Sequence, residues 1–253
     1  MSNFAVDQAI RRAMPFSAIV DINGVHNPRT GGFHVIDDAI NAGHKGIFVR
    51  DGTHPPVGQS IIGMTDITLY GESWLAIIDG ALTTRAIYLS SAVRCRFTNL
   101  QIKTTAGGGN DYSGIYAAGA CSDILVDHCW FSESDSLGID ANADVVRMKV
   151  TNCLIEGCDG YGIGPSGEVA GTDGTIILGN TIQDNGGGLG MSNSQNDDTV
   201  VVANVIRDNG YYGITLETND DNCVIVGNRV TGNSSGQISD NSGSSTVTGN
   251  DES

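Results

Sequence analysis

The 253 residues carry 13 basic against 29 acidic side chains, a net charge of −16, with 35 glycines, 5 prolines and 40 % hydrophobic residues. Such a surface repels nucleic acid and anionic membranes, and the apolar content excludes a disordered chain. Asp accounts for 23 of the acids and Lys for only 3 of the bases; turns favour Asp, and acidity with few lysines suits a halophilic protein, kept soluble where salt screens self-repulsion.

In chain order, residues 3–14 read as a short helix ended by Pro15, with Arg11 and Arg12 making it a docking arm. The opening MSNFAVDQAIRRAMPFS lacks the apolar run of a secretory signal, and no stretch approaches a membrane span. Synthesis in the cytoplasm with reduced thiols is the expectation, with release by a route such as lysis if the protein works outside. FHVIDDAINAGHKG (33–46) predicts a second helix, with Phe33, Ile36, Ala39 and Ile40 on one face and Gly43 as its stop.

From residue 46 onward the chain repeats. MKVTNCLIEGCDGYGI (148–163), IILGNTIQDNGGGLGM (176–191), VVVANVIRDNGYYGIT (200–215) and VIVGNRVTGNSSGQIS (224–239) each hold three short strands, an Asn after the first and a Gly-rich turn after the second. Asn152, Asn180, Asn204 and Asn228 mark the repeat, with Asn99 and His128 in the same place earlier and Asn250 later. A period near 24 with three strands per period is a β-solenoid signature, because one coil cannot bury its apolar face and stacked coils can. The expected architecture is an all-β, right-handed parallel β-helix of about seven to nine coils. Residues 1–45 form its N-terminal arm and capping helix, and residues 46–253 the solenoid. The last coil turns polar, with no second cap.

Stacking at about 4.8 Å predicts that Asn152, Asn180, Asn204 and Asn228 form one buried amide ladder continued by His128. Alternation predicts Met148/Val150, Ile176/Leu178, Val200/Val202 and Val224/Val226 inward, with Arg147/Lys149, Ile177, Val201 and Ile225 outward. In the third strand, Ile115, Ile139, Ile163, Met191 and Ile214 are expected inward. Tyr116, Asp140, Gly164, Ser192 and Thr215 are expected outward. Cys129 and Cys153 fall in register, a thiol column rather than a disulfide, since stacked Cβ vectors run parallel.

GIFVRDGTHPP (46–56) followed by ITLYGESWLAIIDG (67–80) resembles the opening coils of the pectin-lyase-like β-helix superfamily, and the likeness spans roughly residues 30–250. That superfamily includes polysaccharide lyases, hydrolases, C5-epimerases and phage tailspikes. DGYGIGPSGE (159–168) is similar to the catalytic stretch of alginate C5-epimerases, Asp/Ser-Gly-Tyr-Gly-Phe-Asp-Pro-His-Glu. Tyr161, Gly162 and Pro165 match; the family's Asp falls on Gly164 and its His on Ser166. Neither replacement can transfer a proton, so the resemblance implies the fold more than the activity.

The column Tyr116, Asp140, Asn142, Ser166, Thr215 and Glu217, with Tyr161 beside it, is the candidate groove for a sugar, Asp140 being its candidate catalytic carboxylate. TTAGGGNDYSG (104–114) could overhang it, and Tyr211 and Tyr212 could stack on a sugar. Arg94, Arg96, Arg147 and Lys149 either bind an anionic sugar or pair with Asp123 and Asp127. Asp173, Asp197 and Asp221 recur at 24-residue steps, a carboxylate column suited to Ca²⁺ or to turn capping.

Two functions stay open. One is a non-enzymatic, glycan-facing structural or adhesive protein of a surface assembly, such as a virus or phage spike, oligomeric with other structural subunits and held partly by residues 1–30. The other is a polysaccharide lyase or C5-epimerase acting on an acidic polysaccharide through Asp140.

Overall fold

The computed structural model describes residues 16–24, 32–57, 61–80, 85–104, 112–142, 144–164, 172–191 and 196–252. It is a parallel β-solenoid of three sheets, of eleven, eight and seven strands. Every strand pairs in parallel with its equivalent one coil away, as in Ile176–Leu178 with Val200–Val202 and then Val224–Val226. The first sheet reaches upstream of residue 46, because Ala18–Val20 pairs with Gly46–Val49. The helix expected over 33–46 is a single short one, Ile36–Asn41, burying Ile36, Ala39 and Ile40. Phe33 lies instead in the strand Gly32–Phe33. The helix expected over 3–14 lies outside the described residues.

Most corners turn on one residue with positive φ. Between the first and second sheets these are Asn99, His128, Asn152, Gly179, Ala203, Gly227 and Gly249. Between the second and third they include Gly157, Asp184, Asp208 and Gly232. Before the first sheet they are Asp66, Arg94, Asp123, Arg147, Gly174, Asp198 and Asn222. The left-handed conformation bends the chain sharply within one residue, which suits Gly, Asn and Asp and strains Ala203.

This geometry corrects the expected ladder. Thr151 registers with Leu178, so Asn152 aligns with Gly179 and Cys153 with Asn180. Asn152 and His128 sit on the outward bend, exposed, and Asn152 Nδ2 donates to Asp127 Oδ1 at 3.0 Å. His128 is therefore not an interior ring; its Nδ1 lies 2.8 Å from Asp127 Oδ2. The ladder is Asn180, Asn204 and Asn228, all buried, with Asn250 half-buried at its end. Asn180 Nδ2 donates to Asn204 Oδ1 at 3.0 Å, Asn204 Nδ2 to Asn228 Oδ1 at 2.9 Å, and Asn228 Nδ2 to Asn250 Oδ1 at 3.0 Å. Each Oδ1 also accepts the preceding Asn's backbone N–H, so the ladder satisfies bend groups that would otherwise be buried and unpaired.

A second ladder, Asn185, Asn209 and Asn233, follows the other bend. A third run links Thr172 Oγ1 to Asn196 Oδ1, and Asn196 Nδ2 to Asp220 Oδ1. In earlier coils the matching bends carry thiols: Cys129 and Cys153 are register partners, and Cys158 donates its N–H to Asn185 Oδ1. All six cysteines are buried and unbridged. Burial pushes the Cys158 thiol up to about 12 and the Cys223 thiol to about 11, so neither is a nucleophile at neutral pH.

The expected facing of three first-sheet strands is also reversed. Ile177, Val201 and Ile225 are fully buried, whereas Ile176, Leu178, Val200, Val202, Val224 and Val226 face outward. Only the coil of Met148 and Val150 faces as expected; in the later coils the buried equivalents of Met148 are Thr175, Thr199 and Cys223, one place before the residues expected inward.

Candidate functional site

The outer face of the third sheet gathers most of the candidate groove. Register runs Tyr88, Tyr116 and Asp140, then Gly164. Ile163 pairs with Leu189 and Gly190 with Thr215, so the column continues through Gly190, not Ser192, to Thr215 and Ser239. Leu189 fills the inward column of Ile163 and Ile214, and Met191 is inward as expected but one column on, level with Leu216. Ser192, Ser166 and most of the 104–114 insertion lie outside the described residues.

At the N-terminal end of this face, Tyr88 and Tyr116 stack with ring centroids 5.8 Å apart at 27°. The Arg85 guanidinium carbon lies 3.6 Å from the Tyr116 centroid. Asn142 Nδ2 donates to the Tyr116 hydroxyl at 3.0 Å. Stacking and bonding hold the Tyr116 ring in one orientation, with a cation over its face. Asp140 is the next residue in the column and is buried.

At the C-terminal end, Tyr161 lies over two glycines. A Cβ at Gly187 would come within 2.5 Å of its ring and one at Gly190 within 2.8 Å. Tyr211 meets Tyr161 edge-on at 6.4 Å, and Tyr212 meets Tyr211 at 4.9 Å. Burial raises the Tyr161 phenol above its ordinary range, the approach of the Thr215 hydroxyl offsets part of this, and Tyr211 and Glu217 add to the rise. A raised phenol stays protonated, so Tyr161 is a donor at neutral pH. Thr215 Oγ1 is buried without a hydrogen bond of normal geometry. Between the two aromatic ends lie Gly164 and Gly190, both buried, with Gly190 beneath the Tyr161 ring.

Arg147 and Lys149 belong to the first sheet or its entering corner, on a different face from Asp140. Arg147 pairs with Asp123 through Nε–Oδ1 at 2.7 Å and Nη2–Oδ2 at 2.8 Å. Arg94 pairs likewise with Asp66, at 2.7 and 3.0 Å. These guanidiniums hold Asp66 and Asp123 below the usual carboxylate range. Cross-coil ion pairing therefore occupies Arg94 and Arg147.

Asp173 and Asp197 bridge in parallel, and Asp198 N–H donating to the Asp221 carbonyl extends that register by a coil. Asp220 turns inward instead: its Oδ1 accepts from Asn196 Nδ2 at 2.8 Å and its Oδ2 from Glu217 N–H at 2.7 Å. Among the described residues, no group of three or more His, Cys, Asp or Glu is arranged to hold a metal ion.

The family model described as right handed beta helix region matches residues 85–251. The chain belongs to that β-helix family. Among solved structures it is similar to the A-module of mannuronan C-5 epimerase AlgE4 from Azotobacter vinelandii, at 17 % identity and TM-score 0.58, over 88 % of this chain and 72 % of that one. It is also similar to DFA-IIIase from Arthrobacter chlorophenolicus A6 in complex with GF2, at 15 % identity and TM-score 0.68, over 92 % and 67 %. At these identities the likeness is one of fold. No curated protein sequence matches the chain.

Arg85, Tyr88 and Gly190 escaped the sequence reading. Tyr88 and Arg85 lie in a coil whose repeat is irregular. Gly190 was displaced by a two-residue error in register, which only the pairing of Leu189 with Ile214 reveals.

Proposed function

We propose that the β-helix binds a polysaccharide across the outer face of its third sheet and acts on it as a lyase or C5-epimerase. One observation carries this reading: a single face holds Tyr88, Tyr116 and Asp140 in one register column, with the Tyr161 ring seated on Gly190 further along it. Tyrosine faces suit the apolar faces of sugar rings. Proton abstraction beside a uronate carboxylate needs a base, an acid and a cation. Asp140 supplies the carboxylate, Tyr161 a protonated phenol, and Arg85 the positive charge. The likeness to a mannuronan epimerase supports the substrate class and leaves the chemistry to this chain's own residues.

A second reading is a glycan-binding surface without turnover, in a particle or virion assembly. It is favoured by Gly164, which stands where the epimerase-like stretch calls for a carboxylate. One experiment separates the two. The protein is incubated with alginate and polygalacturonate, and unsaturated product absorbance and solvent-proton exchange at C5 are followed. Turnover lost in Asp140→Asn supports the enzyme. Binding without turnover, weakened by Tyr116→Ala, supports the second reading, and neither binding nor turnover overturns both.

A further inference from the structure

The first sheet presents an outward aliphatic surface at odds with a chain of net charge −16. Three successive coils carry Ile176/Leu178, Val200/Val202 and Val224/Val226 on their outer side, with Leu178 exposed and the others half-buried. A solvated sheet face alternates apolar-in with polar-out. Here both faces are apolar, and a contiguous exposed aliphatic patch marks a contact surface.

The same two outward columns are charged further up. Arg96, Leu125 and Lys149 follow one another at the strand starts, and Thr98, Asp127 and Thr151 at the strand ends. Arg96 and Lys149 are exposed and, among the described residues, make no ion pair. The acidic column Asp173, Asp197 and Asp221 borders the aliphatic patch on one edge only, the turn that enters each strand.

We propose that this face joins two copies of the chain about a two-fold axis parallel to the solenoid axis. Such a rotation keeps each coil level with its own counterpart and reverses strand direction. Strand starts of one copy then face strand ends of the other. Ile176, Val200 and Val224 meet the partner copy's Leu178, Val202 and Val226, and the two ladders share one repeat of about 4.8 Å, so they interdigitate as packed sheets do. Asp127 of each copy comes level with Leu125 of the other, one coil from Arg96 and one from Lys149. Both cations thus gain a carboxylate neighbour. The acidic turns of the two copies go to opposite edges. A two-fold along the strands would instead set those turns against each other, which like-charge repulsion opposes.

The N-terminal strands are already covered, with Ile19 and Phe48 buried and Phe16 packed on Phe48 and Tyr70. The free face therefore runs over the eight strands from Thr68–Gly71 to Thr246–Thr248, about 40 Å long at about 4.8 Å per strand and about 10 Å wide. That is about 400 Å² per copy, small for a specific interface, and it points to a weak, reversible dimer rather than an obligate one.

Sedimentation velocity of the full chain over about 1–200 µM tests this. The wild type is expected to follow a monomer–dimer equilibrium. Val202→Glu should weaken it by about a hundredfold or more, because a carboxylate would be buried unpaired against aliphatic side chains. Lys149→Glu, at an exposed position that folding does not depend on, should weaken it by about tenfold at low salt and less at high salt. Far-UV circular dichroism confirms that both variants fold. A wild type monomeric throughout, a dimer indifferent to both substitutions, or a trimer would each overturn the proposal.

Discussion

The ring of Tyr161 lies flat over Gly190, close enough that a Cβ there would stand 2.8 Å from three ring carbons. Gly190 is therefore a seat for the aromatic ring rather than a turn residue. Gly190→Ala should cost about 1–3 kcal/mol, because the ring must tilt away from the sheet. Tyr161→Ala should absorb most of that penalty, so a double-mutant cycle by urea denaturation should be strongly non-additive. Additive effects would place the ring elsewhere.

The Asn ladder gives a sharper contrast. Asn204 is buried and donates to Ile177 O at 2.9 Å as well as to Asn228. Asn204→Ala should cost about 1–3 kcal/mol by leaving neighbouring groups unpaired. Asn152, although it follows the same Val-x pattern, is exposed and bonds outward to Asp127. Asn152→Ala should cost less than about 1 kcal/mol from the lost bond alone, the left-handed strain of Ala adding to it. Asn152→Gly removes that second effect and should be nearly neutral. Equal losses for Asn204→Ala and Asn152→Gly would contradict the register.

That contrast also shows how far the sequence could be read. Its period, three strands per coil and parallel stacking were legible because one buried face repeats at a fixed step. Register was not, because the 28-residue spacing of Asn152 to Asn180 hides a shift of one place: Lys149 pairs with Ile176, 27 residues on. A slip of one residue exchanges inner and outer faces. Where strands read Val-Val-Val or Ile-Ile-Leu, hydrophobicity gave no sign of the phase, since both faces are apolar. The third-sheet column through Tyr116 and Asp140 was legible because there apolar and polar residues alternate cleanly. Arg147 and Lys149 were legible as outward residues of the first strand, apart from that column, and they lie exposed at and just before Lys149–Thr151.

Ala203 has φ of +55° at a bend whose neighbouring coils use glycine, Gly179 and Gly227. A Cβ in that conformation costs about 1–2 kcal/mol, while glycine's freer unfolded chain returns about 0.4–1 kcal/mol. Ala203→Gly should therefore raise stability by up to about 1 kcal/mol. Thermal melting of the two proteins checks it, and a lower melting temperature for the variant would refute the strain.

Burial pushes the Asp220 carboxyl above its ordinary range, and its bonds from Glu217 N–H and the Asn196 amide only partly offset this. A raised acid holds its proton more tightly folded than unfolded. Its contribution is thus fully present below the ordinary carboxylate value and lost as pH rises through the raised one. Asp66 and Asp123, lowered by their arginines, act in the opposite sense, losing their contribution as pH falls through their depressed values. They are common to both proteins in a comparison with Asp220→Asn. The variant loses the acceptor for Glu217 N–H, an offset independent of pH. Its stability relative to wild type should nevertheless improve as pH rises from the ordinary carboxylate value through the raised one, and level off above it. A difference flat in pH would mean that Asp220 titrates normally.

Asp173 and Asp197 share a parallel bridge, which sets like charges about one interstrand spacing apart. At about 4.8 Å such a pair repels by roughly 3–4 kcal/mol at an effective dielectric near 20, and by roughly 1 kcal/mol near water's value. Asp173 is exposed, so the smaller figure governs, and the turns can splay to reduce it further. Screening should therefore stabilise the fold, and the melting temperature should rise with NaCl toward molar levels. Asp197→Asn should reduce that rise, because it removes the charge facing both neighbours. Calcium offers the alternative: a divalent ion bridging two carboxylates and nearby carbonyls would stabilise at millimolar levels or below, far more than its ionic strength accounts for. Melts at matched ionic strength in NaCl and CaCl₂ separate the two. Equal curves assign the column to screening alone. A calcium-specific rise that Asp197→Asn abolishes assigns it to a bound ion, and a melting point indifferent to both salts leaves these aspartates the capping of their turns.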